Sequence, residues 1–225
     1  LDHSIWNEVT PLLATTFDLI LPDLRGFGES VSATPSWTMT DLAEDIASLL
    51  DHLGIESAYI AGHSMGGYAA LAFAKDHPQR VRGLALLASQ TAADTPEKRW
   101  ERQAQAQLIV RDGIGETVAG LTKKLSTDQH VQIFIQELMQ NQKPAGFVGS
   151  LHAMAGREDT LSVLVDSSFP VVLIHGDADS MIPLQRARDI QAAVPRAQLV
   201  VLPGAGHMPM MESPRMVAEA LNHFQ

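Results

Sequence analysis

Apolar residues follow two different periods along the chain. Short runs at Phe17 to Leu21, Ala58 to Ala61, Val81 to Ala88, Val171 to Ile174 and Gln198 to Leu202 are apolar almost throughout. Each predicts a strand, and runs with no polar face predict strands covered on both sides. Between them apolar residues return every three or four positions, as helices do. Leu1 to Ala14 carries Ile5, Trp6, Val9, Leu12 and Leu13 on one face. Thr38 and Asp41 are spaced as a capping pair ahead of Leu42, Ile46, Leu49, Leu50 and Leu53, and Gly54 stops that helix. Tyr68 to His77 ends at Pro78, Leu184 to Val194 forms a further helix, and a last one starts at Pro214 with Ser213 as its cap. Strands alternating with helices predict an α/β fold whose mostly parallel, doubly wound sheet is joined by right-handed crossovers.

From Thr91 to Gly156 the strand-like runs disappear. Trp100, Ala104 and Leu108, then Leu121 and Leu125, then Val131, Phe134, Ile135 and Leu138 recur at helical spacing, and Gly113, Gly115, Pro144 and Gly146 punctuate them. Four helices inserted between two core strands are expected. The domain reading is a core from 1–90 and 157–225 with a helical cap at 91–156. Trp100, Phe134, Met139, Phe147 and Met154 could line an apolar pocket, although core packing is the expected fate of most of them.

Composition narrows the classes. At 225 residues and 45% hydrophobic, the chain can fill one large core with a modest insertion. A formal net charge of −10 has the wrong sign for a nucleic-acid or anionic-membrane partner. There is no cysteine, hence no disulfide and no thiolate chemistry. No apolar run approaches the ~18 residues of a membrane span, and none reads as a signal peptide, so the expected location is the cytoplasm.

The chemistry concentrates at Gly62-His63-Ser64-Met65-Gly66-Gly67, where the run from Ala58 breaks into small residues and resumes as a helix. A sharp strand-to-helix turn there strains the serine backbone and lifts its hydroxyl clear of the sheet, with Gly62 and Gly66 read as steric necessities. The helix N-terminus leaves the Met65 N–H free to meet an oxyanion. Ser64 needs a base, and His207, at the end of the glycine-containing turn Gly204-Ala205-Gly206 after the last strand, is the candidate. His63 is expected to point to the far side of the turn and His175 into core loops, both as packing residues. Asp177 and Asp179 are both candidates for the acid that orients the base. A metal site of His63, His175 and His207 lacks ligand-type spacing, so no metal and no cofactor are expected. In Pro22 to Ser30 two glycines suggest phosphate binding, but no phosphate-binding motif is completed; the loop reads as structural, braced by Asp23 and Arg25.

Together, Pro22-Asp23-x-Arg25-Gly26-x-Gly28-x-Ser30, Gly62 to Gly67, His175-Gly176-Asp177-Ala178-Asp179 with Ile182-Pro183, and Gly204-Ala205-Gly206-His207 resemble the α/β-hydrolases of the esterase and lipase superfamily over essentially the whole chain. The resemblance implies the order serine, acid, histidine, and selects Asp179, three residues after Gly176, as the acid. It implies a carboxylesterase-like serine hydrolase with a helical lid, acting on small-molecule esters or lactones through an acyl-enzyme. A cofactor-free perhydrolase or haloperoxidase, and a C–C bond hydrolase, would use the same residues; a ligand-binding receptor would keep them without turnover. The serine speaks against the dehalogenase and epoxide hydrolase branches, which use aspartate.

The same resemblance places a strand and a His-Gly loop ahead of the helix near Leu1. The strand would lie between Phe17 to Leu21 and Ala58 to Gly62, and the loop would supply a second oxyanion N–H. These 225 residues are therefore expected to be a fragment, with a gap or a rearranged pairing at that position.

Overall fold

The computed structural model describes residues 1–30, 32 and 34–224. The Thr38 side chain accepts from Asp41 N–H and the Asp41 carboxylate accepts from Thr38 N–H, so the predicted capping box opens a long helix. A short 3₁₀ turn at His3–Trp6, α1 (Thr10–Leu13) and this helix, α2 (Met39–His52), precede the first strand. Then follow β1 (Ala58–His63), α3 (Met65–Asp76), β2 (Val81–Leu87), and an insert of α4 (Pro96–Asp112), α5 (Gly115–Leu125), α6 (Gln129–Gln140) and α7 (Pro144–Gly156). The chain ends with α8 (Leu161–Asp166), β3 (Val171–Gly176), α9 (Gln185–Ala193), β4 (Gln198–Leu202), α10 (Pro209–Glu212) and α11 (Pro214–Leu221). Ser213 makes no side-chain cap to α11; its N–H donates to Pro209 O as α10 closes.

The strands form one parallel sheet in the order β1-β2-β3-β4. Successive side chains of a strand point to opposite faces, and the two cores follow that alternation. Leu84, Leu86, Val171 and Leu173 pack with α2, α3, α8 and α9. Ala85, Leu87, Val172 and Ile174 pack with the N-terminal turns, α11 and parts of α5 and α6. The sheet is thus covered on both faces, which is why its central strands are almost wholly apolar, with Arg82 of β2 and His175 of β3 as the exceptions. α4 and α7 meet through Ala106, Ile109, Val148 and Leu151.

Phe17 to Leu21 is not a strand. Its residues are half-buried or exposed and pair with no strand among the described residues. A segment becomes a strand only by exchanging backbone hydrogen bonds with a neighbour. Here Phe17 to Leu21 and Ala58 to Gly62 both line a cavity of about 1450 Å³, and the Phe17 and Tyr59 rings meet edge to face where backbone pairing is missing. β1 is therefore an edge strand. The predicted helix over Leu1 to Ala14 is split into two short turns, with Ile5, Val9 and Leu13 buried and Leu12 exposed. Asp23 and Arg25 do brace the following loop: Asp23 accepts from His3 and from Glu29 N–H, and Arg25 binds Asp45 of α2 through two hydrogen bonds of 2.8 and 2.6 Å.

Candidate active site

β1 ends at His63 and α3 begins at Met65, leaving Ser64 alone to reverse the chain direction. Its φ of 50° and ψ of −114° lie outside the regions an L-residue normally occupies, at a cost on the order of 1 to 3 kcal/mol. The surrounding fold holds the turn. Ser64 N–H donates to Leu87 O at 2.9 Å, and Ser64 O accepts from Ser89 Oγ at 2.9 Å. A Cβ on Gly62 would lie 2.3 Å from Gly66 O, so the strand can pass the helix start only as glycine. Gly66 itself differs from the expectation: a Cβ there meets open space, whereas one on Gly67 would meet Ser89 Oγ at 2.3 Å. The crowding falls on Gly62, which faces the Gly66 carbonyl and Gly67 N, and on Gly67, which faces Ser89, whereas a Cβ on Gly66 would point away from both.

Three side chains from three loops converge behind this turn. His207 Nε2 is 3.0 Å from Ser64 Oγ, and His207 Nδ1 is 2.8 Å from Asp179 Oδ2. Because a carboxylate only accepts, Nδ1 carries the proton and Nε2 is free to take one from the serine. Asp179 Oδ1 accepts from Met181 N–H and Ile182 N–H at 2.8 and 3.0 Å. Burial works to raise the Asp179 carboxyl, but hydrogen bonds from His175, His207 and Ile182 N–H, with the nearby His207 charge, hold it well below the usual carboxylate range. Asp177 lies outside this relay, its Oδ1 accepting from Gly204 N–H at 2.7 Å. Met65 opens α3, so its N–H is a first-turn donor with no intrahelical acceptor.

His63 departs from its expected orientation. Its Nε2 lies 2.7 Å from the His207 carbonyl oxygen and the two rings are 5.0 Å apart. His175 is buried, with Nε2 2.7 Å from Ile182 O and 3.4 Å from Asp179 Oδ2. The contacts of His63 to His207 O and of His175 to Ile182 O are not foreshadowed by spacing, since both end on backbone carbonyls. Ser89, the brace of the turn, was likewise invisible; the strained Ala88 before it, at φ 45°, marks the loop only in three dimensions. Among the described residues, the group whose ligand-type atoms approach closely enough for an ion is Asp2, His3 and Asp23. Those carboxylates are already occupied by His3, Glu29 N–H, Ser4 and Gln142.

Ser64 and His207 open onto the cavity that also borders β1. The insert contributes Leu121, Leu125, Met139, Phe147, Leu151 and Met154 to its wall. Trp100, 70% exposed, and Phe134 lie outside that lining. No helix among the described residues is long and apolar enough to cross a membrane.

Comparison with known proteins agrees with this architecture. A thermophilic esterase from Thermogutta terrifontis, solved with malate bound, superposes with a TM-score of 0.95 at 32% identity, covering 100% of this chain and 85% of that one. The dihydrolipoyllysine-residue acetyltransferase component of an acetoin cleaving system from Pseudomonas putida is 31% identical over 99% of this chain, which spans only 60% of that protein's length. The 3-oxoadipate enol-lactonase 1 of Acinetobacter baylyi is 27% identical over 99% of this chain and 84% of its own. A model of the alpha/beta hydrolase family matches residues 1–220, and the chain belongs to that family.

Proposed function

We propose that the protein is a serine hydrolase that cleaves small-molecule carboxylic esters or lactones through an acyl-enzyme on Ser64. The observation that carries this reading is the continuous relay Ser64 Oγ, His207, Asp179, with contacts of 3.0 and 2.8 Å, built on a strained turn. Ser64 Oγ attacks the carbonyl carbon while His207 Nε2 takes its proton. The resulting oxyanion accepts from Met65 N–H at the positive end of α3. Collapse breaks the C–O bond to the leaving oxygen, which receives the proton from His207. A water then attacks the acyl carbon with His207 again as base, releasing the acid and restoring the serine. In a lactone the leaving oxygen stays attached, and the product is a hydroxy acid.

Asp179 keeps the His207 ring oriented and stabilises its charged form. The helical cap at 91–156 acts as the lid: its apolar wall excludes water and receives the acyl group. The similarity to an esterase and to an enol-lactonase supports an ester or lactone as the substrate class. Purified protein should hydrolyse p-nitrophenyl acetate, and a fluorophosphonate probe should label Ser64. Ser64→Ala should abolish labelling and lower kcat by roughly 10³-fold or more, because the three residues act as a unit. Labelling that persists in Ser64→Ala refutes the assignment, and labelling without turnover would favour a receptor.

A further inference from the structure

The last turn of α5 ends against both loops that carry the acid and the base. A helix leaves its final carbonyls without intrahelical donors. Here Lys124 O accepts from Ser180 Oγ at 3.0 Å, and Leu125 O accepts from His207 N–H at 3.1 Å. Ser126 follows, buried, accepting from Asp128 N–H at 3.1 Å and donating its hydroxyl to Glu212 Oε1. The other oxygen of Glu212 accepts from Gly206 N–H at 2.5 Å. The α5 terminus thus touches the residue after Asp179, the backbone of His207 and, through Glu212, the residue before it.

We propose that Glu212 and Ser126 are positioning residues for His207, joining the inserted helices to the loop that carries the base. Gly206 is enclosed between the carboxylate and the helix end: a Cβ there would sit 3.1 Å from Glu212 Oε1 and 3.5 Å from Leu125 O. With Gly206 N–H and His207 N–H both engaged, the loop has little freedom to turn the His207 ring away from Ser64. Among the described residues the Glu212 side chain bonds only Ser126 and Gly206, so it acts through the loop backbone and not on the reacting atoms. At this corner the insert and the base move together; opening there breaks the bonds that align the relay.

The inference rests on the serine-hydrolase reading above, and one experiment separates the two. Wild type, Glu212→Ala, Glu212→Gln, Ser126→Ala and the double alanine variant are compared for kcat and KM on p-nitrophenyl acetate, for the rate of fluorophosphonate labelling of Ser64, and for thermal midpoint. Glu212→Ala should lower kcat and the labelling rate about 10- to 100-fold with KM within about twofold, as a misplacement of about 1 Å does. Glu212→Gln keeps an oxygen for Gly206 N–H and should recover to within about threefold of wild type. The double variant should be no worse than Glu212→Ala by more than about twofold, because both changes cut one link. A folded Glu212→Ala with unchanged kcat, a loss confined to KM, or a loss that glutamine fails to restore overturns the proposal. If Glu212→Ala does not fold, Ser126→Ala decides it: a fall in kcat of at least about threefold is expected, and an unchanged kcat overturns it. A wild type that neither turns over nor labels defeats the hydrolase reading and this inference with it, whereas an active wild type with an indifferent Glu212→Ala defeats this inference alone.

Discussion

His63 Nε2 donates to the backbone carbonyl of His207 across 2.7 Å, so the residue before Ser64 holds the chain that carries the His207 ring. A carbonyl only accepts, which fixes the proton of His63 on Nε2. Burial and the neighbouring His207 push the His63 pKa down to about 3, and the ring stays neutral through the range in which the site would work.

This contact has a pH signature. A histidine whose folded pKa is depressed binds its proton first in the unfolded chain, so stability is complete above about 6.5 and is lost as pH falls below that value toward about 3. Asp179, also depressed, adds its loss only below the ordinary carboxylate range near 4. The urea midpoint should decline from pH 6.5 to 4.5 as the unfolded chain takes up the His63 proton. His63→Gln should flatten that decline, and an unaltered decline in the variant would assign it elsewhere.

The two aspartates of the loop after β3 should separate cleanly. Asp179→Asn should lower kcat by roughly 10³- to 10⁴-fold with the thermal midpoint largely kept, since it leaves the ring of His207 without its acceptor. Asp177→Asn still presents an oxygen to Gly204 N–H and should change kcat by less than about tenfold. Steady-state kinetics on one ester decides it, and the reverse ranking would move the acid to Asp177.

The glycines of the turn should not behave alike. Gly62→Ala drives a methyl into the Gly66 carbonyl, backbone that has nowhere to go, and the thermal midpoint should fall by more than about 6 °C. Gly66→Ala meets open space in a helical turn, where alanine is the better helix former, so its midpoint should hold or rise by about 2 to 4 °C. Gly66 lines the cavity, so any penalty should appear in KM. Equal destabilisation of both variants would contradict the geometry.

Asp94 anchors the insert to the core. It pairs with Arg102 of α4 and, at 2.7 Å, with Arg157, whose guanidinium lies 4.1 Å over the Tyr68 ring of α3 and also donates to Ala92 O. Asp94 and Arg157 side chains are almost wholly buried, so Asp94→Ala strands a charge and should cost about 3 to 5 kcal/mol in urea unfolding. Glu158→Gln, breaking the exposed pair with Lys75, should leave the urea midpoint almost unchanged. Comparable effects would mean that burial does not govern these pairs.

The sequence by itself determined what is local. Periods of apolar residues specified the parallel sheet covered on both faces and the four inserted helices, Thr38 and Asp41 specified a cap three residues apart, and the small residues around Ser64 specified a tight turn. Each of these follows from sterics or hydrogen bonding within a few residues, which composition at neighbouring positions records. Tertiary structure alone decided which partners meet across the chain. The His63 contact to His207 spans 144 positions and that of Ser126 to Glu212 spans 86, and they use backbone atoms or common polar side chains with no pattern of their own. The same reason explains Phe17 to Leu21, whose apolar run reads as a strand while its backbone pairs with no strand among the described residues. Strand character lies in the run; being a strand depends on a neighbour, and a neighbour is a tertiary fact.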